Sequence, residues 1–354
     1  MNDLQKQLSF LKNKKILITG NTGFKGTWLT YIIANVTKNI YGISLKDNIN
    51  KTNYKKNNVI GLLKKQYFFD ISNYNKLKKT INEIQPDFIF HLAAQSLVYK
   101  SYKEPLKTWN SNLIGTLNLL EILRYYKKSK NIIITSDKCY KNFELSRGYS
   151  ENDILAGEDP YSATKSCAEI AIKSYIKSFY DKSNYIVSCR AGNVIGGGDF
   201  SELRLIPDIA RSYFRNKKIS IRSLSSTRPW QHVLEPLFAY LLVAKNIKKK
   251  QVNHQAFNFG PIQNNSKSVL SIINQIKKKW KIKIKKSRLK FKASKLLSLN
   301  CIKAKKILKW RPVLDFEDTV NLTIDWYDKF NKQPNEINKI MNYQINYYLS
   351  KKKW

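Results

Sequence analysis

The sequence contains few residues of the kinds that form disulfide frameworks or metal centres. It has four cysteines and three histidines among 354 residues, and no two cysteines are spaced as Cys-x-x-Cys. A small disulfide-stabilised scaffold and a zinc module are therefore excluded, and three scattered histidines argue against a metal-dependent hydrolase. We expect reduced thiols in a reducing compartment, and no metal site.

Long apolar runs are also absent. The longest run, Leu237 to Ala244, is far too short to cross a bilayer. The first six residues lack the apolar core of a signal peptide. The sequence therefore predicts a cytoplasmic protein without a membrane partner.

Acidic residues are scarce relative to basic ones. The chain has 25 Asp and Glu against 64 Lys and Arg, a net charge of +39. Such a charge is typical of proteins that bind nucleic acid or anionic lipid. The excess is mostly lysine, however, and it is spread along the chain without clusters of arginine and aromatic residues. We therefore keep a basic nucleic-acid-binding protein as a remote alternative and expect the charge to favour a phosphate-bearing substrate.

A glycine-rich turn follows the first apolar stretch. Residues Lys15 to Thr19 read as a strand, and Thr27 to Val36 have the apolar spacing of a helix. A Gly-x-x-Gly-x-x-Gly loop between a strand and a helix is typical of dinucleotide binding, because its backbone N–H groups can approach a pyrophosphate. The predicted cofactor contacts in this loop are Gly20, Thr22, Gly23, Phe24, Lys25 and Gly26.

Three later strand ends also point to the cofactor. The second strand ends near Asp47, about 20 residues past the loop, where a carboxylate typically holds the ribose of NAD. Lys46 precedes Asp47 and could favour the 2′-phosphate of NADP. We therefore predict NAD, with NADP as the alternative. The third strand ends at Asp70 and Ile71, which suits the adenine. After the fourth strand, small residues would let the backbone lie against a flat cofactor, and the predicted contacts are Leu92, Ala93, Ala94 and Gln95.

Two polar segments of the sequence come after the fifth strand, Asn131 to Thr135. Ser136, Asp137 and Lys138 come at its C-terminal end, the edge where open α/β sheets bind ligands. Pro160 then begins a helix on which Tyr161 and Lys165 share one face. We expect the Lys165 ammonium to lower the pKa of Tyr161, so that Tyr161 can act as a general base on a hydroxyl group.

Repeating strands and helices predict an α/β fold, a Rossmann-type doubly wound parallel sheet with a smaller mixed α/β C-terminal substrate domain. The repeating pattern breaks after the sixth strand, Tyr185 to Arg190. We predict a dinucleotide-binding domain over residues 1–195 plus about 230–260. The substrate domain would comprise about 196–229 plus 261–345, and residues 346–354 would form a basic tail.

Four motifs carry a resemblance that covers nearly the whole chain. They are Gly20 to Leu29, Thr135 to Tyr140, Arg190 to Asp199 and Arg228 to Pro236. With them the sequence resembles the extended short-chain dehydrogenase/reductase superfamily of NAD-dependent epimerases and dehydratases, and within it the CDP-glucose 4,6-dehydratases. It departs from the family pattern at Lys46, at Ser96 in place of a usual Pro, and at Asn300 in place of a frequent Asp.

The resemblance implies an NAD-dependent lyase acting on a nucleotide-sugar, CDP-glucose. Its reaction would oxidise C4 of the sugar, eliminate water across C5 and C6, and return the hydride to C6. Tyr161 would take the 4-hydroxyl proton with support from Lys165, and Ser136 would stabilise the ketone. Asp137 would be the acid for the C6 hydroxyl, and Lys138 either the C5 base or an electrostatic stabiliser. The predicted diphosphate contacts are Asn193, Arg204 and Arg228.

Other members of the superfamily supply the alternatives. A different nucleotide-sugar 4,6-dehydratase, or a 4-epimerase acting on a UDP- or dTDP-sugar, would share most of these residues. Asp137 favours dehydration, because an epimerase needs no acid beside the serine. The resemblance also implies a homodimer or higher homo-oligomer, in which helices Glu104 to Lys127 and Tyr161 to Tyr180 pair across a two-fold axis. It further implies a deoxysugar product for cell-surface polysaccharide such as O-antigen.

Overall fold

Strands and helices alternate along the first half of the chain in the computed structural model, which describes residues 3–46, 59–221, 223–261, 266–286 and 296–352. The strands are β1 (Ile16–Thr19), β2 (Ile40–Ser44), β3 (Lys65–Phe68), β4 (Phe88–His91), β5 (Lys130–Ile134), β6 (Tyr185–Ala191), β7 (Val194–Ile195), β8 (Ile219–Ile221), β9 (Thr227–Pro229), β10 (Gln231–His232), β11 (Ala256–Phe259), β12 (Ser266–Ser268) and β13 (Ile284–Lys286). The α-helices are α1 (Asp3–Gln7), α2 (Phe24–Ile33), α3 (Tyr74–Ile84), α4 (Val98–Lys103), α5 (Pro105–Trp109), α6 (Gly115–Tyr125), α7 (Pro160–Ser178), α8 (Leu205–Phe214), α9 (Leu234–Asn246), α10 (Val269–Lys277), α11 (Ile302–Leu308), α12 (Phe316–Lys332) and α13 (Ile337–Lys351).

Seven of these strands form one parallel sheet. Its order is β11-β6-β5-β4-β1-β2-β3, with every neighbouring pair parallel. The strand order reverses between β1 and β4, which is where open α/β sheets bind ligands beyond the carboxyl ends of their strands. The predicted Rossmann-type doubly wound sheet is confirmed.

Both faces of the sheet are covered. Side chains alternate between the faces along a strand, so Ile18 joins one core with Trp28 of α2 and Leu237 of α9. Leu17 joins the other core with Leu77 of α3, Leu120 of α6 and Ile172 of α7. Burial on both faces explains why the central strands are nearly continuous apolar runs rather than alternating ones.

The C-terminal part is built from short strand pairs and helices. β9 pairs antiparallel with β12, β8 pairs parallel with β13, and β7 pairs parallel with β10. Residues of α8, α10 and α12 belong to the same apolar core as α2 and α9. Helix α9 and strand β11 return to the main sheet. The division into two domains stays a prediction.

The predicted helix from Glu104 to Lys127 is present from Pro105 to Tyr125, as α5, a π-helical turn over Asn110–Ile114, and α6. A π turn holds more residues than an α turn, so the apolar stripe of α6 is out of phase with that of α5. Leu106 on α5 is 77 % exposed, while Leu119 and Leu120 on α6 carry the core contact.

Two C-terminal predictions also differ from the structure. Residues 346–351 belong to α13 rather than to a free basic tail, because Tyr348 is buried and stacks on Phe238 with ring centroids 4.7 Å apart. The alternation of Ile or Trp with Lys from Trp280 to Ile284 predicts a half-exposed strand. The strand β13 begins only at Ile284, and Trp280 is buried and stacked on Tyr213.

Candidate active site

The turn between β1 and α2 has the shape that its glycines require. Gly20 has φ +73°, and a Cβ at this position would lie 2.7 Å from the backbone nitrogen of Ala93. A Cβ at Gly26 would collide with the carbonyl oxygen of Gly20 and lie 2.7 Å from Cα of Asn21. The N–H groups of the first turn of α2 have no partner within the helix. The turn therefore fits the pyrophosphate of a dinucleotide, which needs close approach to these N–H groups.

A cavity of about 730 Å³ opens beside this turn, at the carboxyl ends of the strands. Its size lies in the range of ligand sites. The predicted cofactor contacts that line it are Gly20, Gly23, Phe24, Lys25, Gly26, Asp70, Ile71, Leu92, Ala93 and Ala94. The predicted catalytic and substrate contacts that line it are Ser136, Asp137, Lys138, Tyr161, Lys165, Asn193, Arg204 and Arg228. Residues as far apart in sequence as Gly20 and Arg228 thus share one cavity.

Two of the predicted cofactor contacts that the structure describes, Thr22 and Gln95, are not among the residues that line the cavity. The side chain of Thr22 is fully buried, and its hydroxyl has no hydrogen-bond partner within the described part of the chain. The Gln95 amide donates to Leu97 O at 3.1 Å and to Thr108 Oγ1 at 3.0 Å, so it braces its own loop. Asp47 lies outside the described residues. The structure therefore places the Thr22 and Gln95 side chains in the scaffold around the cofactor loop.

Ser136 and Asp137 follow β5 after a single residue, Thr135. The Ser136 hydroxyl donates to Oδ1 of Asp137 at 2.9 Å, and its oxygen accepts from the Lys138 N–H at 3.3 Å. Burial raises the pKa of Asp137, against the opposing effects of Lys138, Ser136 and Lys25. A raised pKa favours the protonated carboxyl group that an acid catalyst needs.

Tyr161 and Lys165 occupy the first two turns of α7. The helix begins with Pro160, and the Asp159 side chain caps it by accepting from Ser162 N–H at 3.0 Å. Burial raises the pKa of Tyr161 to about 12, and a hydrogen bond with Ser136 opposes this change. The prediction that Lys165 brings the pKa of Tyr161 down is therefore wrong for this structure, because burial has the larger effect.

The Lys165 ammonium is itself affected by burial. Burial lowers the pKa of Lys165 to about 8, and Glu169 opposes the change. Lys165 therefore begins to lose its proton close to physiological pH.

Lys25 brings a further cation to the same cavity. Its Nζ lies 3.4 Å from the Tyr240 hydroxyl. Burial, with Arg204 and Lys165, lowers the pKa of Lys25 to about 8, while Asp137 opposes the change. The sequence placed Lys25 at the cofactor; the structure shows that it also faces the Asp137 carboxyl.

The two predicted phosphate-binding arginines differ in their contacts. The Arg204 guanidinium donates to Asp199 Oδ2 at 3.1 Å, and to Ser96 O and Oγ at 3.3 Å each. It thus joins two segments of the cavity wall, and Ser96 is a position where the chain departs from the family pattern. Arg228 is half-buried, and its Nη1 donates to Thr227 O at 2.7 Å. Burial lowers the pKa of Arg228 and Asp137 opposes this, so Arg228 also faces the site.

Sequence reasoning missed the buried groups behind the cavity. Glu169 and Arg190 form an ion pair of 2.6 Å, and both side chains are buried. Arg190 stood at the start of a quoted motif, but only the fold shows that it meets α7.

The described part of the chain has neither a metal-ligand cluster nor a membrane-spanning helix. Within it, no group of three or more His, Cys, Asp or Glu side chains could hold a metal ion. None of the described helices has both the length and the apolar character needed to cross a membrane.

Similar proteins cover most of the chain. Residues 17–323 match the family model described as GDP-mannose 4,6 dehydratase. The chain is 36% identical over 332 residues to the CDP-glucose 4,6-dehydratase of Salmonella typhimurium, covering 90% of this chain and 92% of that protein. It is 24% identical over 339 residues to the UDP-glucose 4-epimerase of Mycoplasma genitalium, covering 89% and 97%.

Solved structures show the same fold. The NAD complex of dTDP-glucose 4,6-dehydratase from Bacillus anthracis has a TM-score of 0.75 at 22% identity, covering 91% of this chain and 99% of that one. The chain therefore belongs to the GDP-mannose 4,6 dehydratase family, within the extended short-chain dehydrogenase/reductase superfamily.

Proposed function

We propose that this chain is an NAD-dependent hydro-lyase that converts CDP-glucose into CDP-4-dehydro-6-deoxyglucose. The observation that carries the proposal is the position of Asp137. Its carboxyl group is buried in the same cavity as Tyr161 and Lys165, next to Ser136, and its pKa is raised. The 36% identity to a CDP-glucose 4,6-dehydratase over 90% of the chain supports the choice of reaction and nucleotide.

The residues around the β1–α2 turn fit NAD. When bound, NAD supplies the hydride acceptor for C4 and the hydride donor for C6, so that the overall reaction involves no net oxidation. The backbone of Gly20, Gly23 and Gly26 would hold the pyrophosphate. Asp70 lines the end of the cavity expected for the adenosine, and Ala93 lies against the turn without a bulky side chain.

Tyr161 and Ser136 act on the first step. Tyr161 would act as the phenolate, which accepts the proton of the 4-hydroxyl as hydride leaves C4 and so gives a 4-ketone and a neutral phenol. The Ser136 hydroxyl donates a hydrogen bond to the ketone oxygen. Because burial keeps the pKa of Tyr161 high, proton transfer depends on nearby positive charge, and Arg204 acts on Tyr161 in that direction.

Asp137 acts on the second step. The ketone makes the C5 proton acidic, so a base can remove it. The electron pair forms a C5–C6 double bond, the Asp137 carboxyl protonates the C6 oxygen, and water leaves. Lys138 lines the cavity beside Asp137 and serves as the C5 base or as the cation that stabilises the enolate.

The surroundings of the site support the substrate class and the assembly. Asn193, Arg204 and Arg228 line the cavity and would meet the nucleotide diphosphate. Exposed apolar side chains at Leu106 and Ile170 support a homodimer through α5 and α7. A cytoplasmic location and a product destined for cell-surface polysaccharide complete the proposal.

Product analysis tests the function. The purified chain and NAD would be mixed separately with CDP-glucose, dTDP-glucose, UDP-glucose and GDP-mannose. We expect mass spectrometry to show the loss of one water from CDP-glucose. Loss of water from another nucleotide-sugar alone would change the assigned nucleotide. A change of stereochemistry without loss of water would overturn the dehydratase in favour of an epimerase.

A further inference from the structure

A buried ion pair lies directly behind the proposed active site. Glu169 on α7 and Arg190 on β6 are 3 % and 4 % exposed, and Glu169 Oε2 lies 2.6 Å from Arg190 Nη2. Glu169 comes four residues after Lys165 and eight after Tyr161. The three side chains therefore follow one face of α7.

Donors from two strands hold the Glu169 carboxylate. Oε1 accepts from the Thr135 hydroxyl, whose residue directly precedes Ser136. Oε2 accepts from Ser188 Oγ at 3.0 Å and from Arg190. Burial favours a protonated Glu169, but Arg190 and these hydrogen bonds outweigh it and lower the pKa of Glu169. The carboxylate is therefore a fixed negative charge at neutral pH.

Arg190 extends the same network to the edge of the sheet. Its Nη1 donates to the Tyr140 hydroxyl at 2.6 Å, and that hydroxyl donates to Asn258 Oδ1 on β11 at 2.8 Å. The network thus connects α7 with β5, β6 and β11. This frame fixes where the carboxylate sits relative to Lys165.

We propose that Glu169 is a positioning residue: held by Arg190, Thr135 and Ser188 one helical turn after Lys165 on α7, its carboxylate favours the charged form of Lys165 in the cavity that Tyr161 also lines. The role of Lys165 in catalysis rests on the proposed function, whereas the position of the anchored carboxylate on α7 does not. Glu169 itself touches neither cofactor nor substrate in this assignment.

Few of the groups around Lys165 can stabilise its positive charge as Glu169 does. Burial lowers the pKa of His91 to about 3 and raises the pKa of the Cys139 thiol, so both are neutral at pH 7. Lys25 repels an ammonium at Lys165. The titratable groups facing Lys165 from the surrounding segments are Tyr161 and Glu169 on α7, Cys139 after β5, Lys25 in the β1–α2 turn and His91 on β4. Of these, Glu169 is the carboxylate.

Competitive acetylation of the full-length chain measures the protonation of Lys165 directly. Acetic anhydride reacts with neutral amines, so peptide mass spectrometry over a pH series gives the midpoint at which Lys165 loses its proton. We expect this midpoint near pH 8 in the unaltered chain. In Glu169→Gln it should fall by about one pH unit or more, because an adjacent opposite charge has been removed.

Two comparisons separate this role from general loosening of the site. Ser188→Ala removes one hydrogen bond to Glu169 but leaves the negative charge of Glu169 in place. The titration midpoint of Lys165 should therefore stay the same in this variant. Lys25 lines the same cavity. In Glu169→Gln the titration midpoint of Lys25 should change little, and any change should be to higher pH, because a neutral Lys165 no longer repels the Lys25 ammonium. An unchanged Lys165 midpoint in Glu169→Gln, an equal shift in Ser188→Ala, or a parallel fall at Lys25 would each overturn the proposal.

A double variant tests the proposal if Glu169→Gln does not fold. If circular dichroism shows that Glu169→Gln is unfolded, Glu169→Gln with Arg190→Met removes both buried charges together, and the same fall in midpoint is expected. Labelling uses neither cofactor nor sugar, so its result stands even if CDP-glucose is not the substrate. With an active enzyme, the alkaline limb of the kcat profile should move to lower pH by the same amount as the Lys165 midpoint.

Discussion

The hydroxyl of Ser136 donates a hydrogen bond to the carboxyl group of Asp137, its neighbour in sequence, over 2.9 Å. The contact joins the group assigned to the C4 oxygen with the group assigned to the C6 oxygen. Tyr161 also hydrogen-bonds Ser136. Ser136 therefore contacts both the residue proposed to act at C4 and the residue proposed to act at C6, two positions after the end of β5.

Asp137→Asn should separate the two steps. The amide cannot donate a proton to the C6 oxygen, so loss of water should slow by about 10²- to 10⁴-fold, the usual contribution of a positioned acid. Oxidation at C4 should persist, since Tyr161 and Ser136 remain. Reduction of the mixture with sodium borodeuteride would label C4 of the sugar, and mass spectrometry would detect it.

Asp181→Asn is the matched control for this variant. Asp181 forms an exposed ion pair with Lys127, so dehydration should be unchanged. If Asp137→Asn eliminates water at the normal rate, Asp137 is not the acid, and Lys138 or Lys25 becomes the next residue to replace.

Tyr161→Phe should stop the reaction before the ketone forms. Without the phenol oxygen the 4-hydroxyl proton has no acceptor, and a fall in turnover of about 10²- to 10⁴-fold is expected. No deuterium should enter at C4 after borodeuteride treatment, in contrast to Asp137→Asn. Tyr343→Phe changes a 55 % exposed tyrosine on α13 and should leave turnover unaltered. Labelled C4 in Tyr161→Phe would show that another group takes the proton.

Gly26→Ala should abolish cofactor binding more completely than Gly23→Ala. The new Cβ at residue 26 would collide with Gly20 O, whereas at residue 23 its nearest contact is Gly20 O at 3.2 Å. The first change moves α2 away from the turn, and the second needs only a small adjustment. Titration calorimetry with NAD should rank the affinities as unaltered chain, Gly23→Ala, Gly26→Ala. The reverse order would mean that the turn does not hold the pyrophosphate.

Local patterns explain what the sequence could predict. The glycine turn at β1, the Ser136-Asp137-Lys138 segment after β5 and the Tyr161–Lys165 spacing on α7 each depend on neighbouring residues. The parallel sheet then brings all strand ends to one edge. Eighteen of the predicted site residues accordingly line one cavity.

Effects that depend on tertiary packing could not be predicted in the same way. The pKa of Tyr161 rises because the folded chain buries the phenol, and the sequence gives no measure of that burial. The hydrogen bonds that join Arg204 to Asp199 and Ser96 likewise form only in the folded cavity wall. The π-helical turn before α6 has no sequence signal that we recognised.

Glu235 provides a prediction on stability that is independent of the reaction. Its Oε1 accepts the N–H groups of Val313 at 2.8 Å and Leu314 at 2.7 Å, and Oε2 accepts the Tyr348 hydroxyl at 3.2 Å. The carboxyl group thus fastens the segment before α12, and α13, to α9. Burial raises the pKa of Glu235 to about 7, although the three hydrogen bonds oppose the change.

A raised folded-state pKa means that the folded chain holds this proton more tightly than the unfolded chain. Its stabilising effect is complete below the unfolded pKa of about 4.3 and is lost as pH rises through about 7. The Glu235 contribution to the free energy of unfolding should therefore fall by about 3 kcal/mol from pH 4 to pH 8. Glu235→Gln should lack this dependence, because its amide oxygen can accept both N–H groups without carrying a charge.

Urea unfolding at pH 5 and pH 8 would compare the unaltered chain with Glu235→Gln. The variant should gain stability relative to the unaltered chain at pH 8 and match it more closely at pH 5. Glu317→Gln, at a 63 % exposed side chain, should show no such change between the two pH values. Equal pH dependence in the unaltered chain and Glu235→Gln would mean that Glu235 is ionised throughout this range. Its hydrogen bonds from Val313 and Leu314 would then outweigh burial.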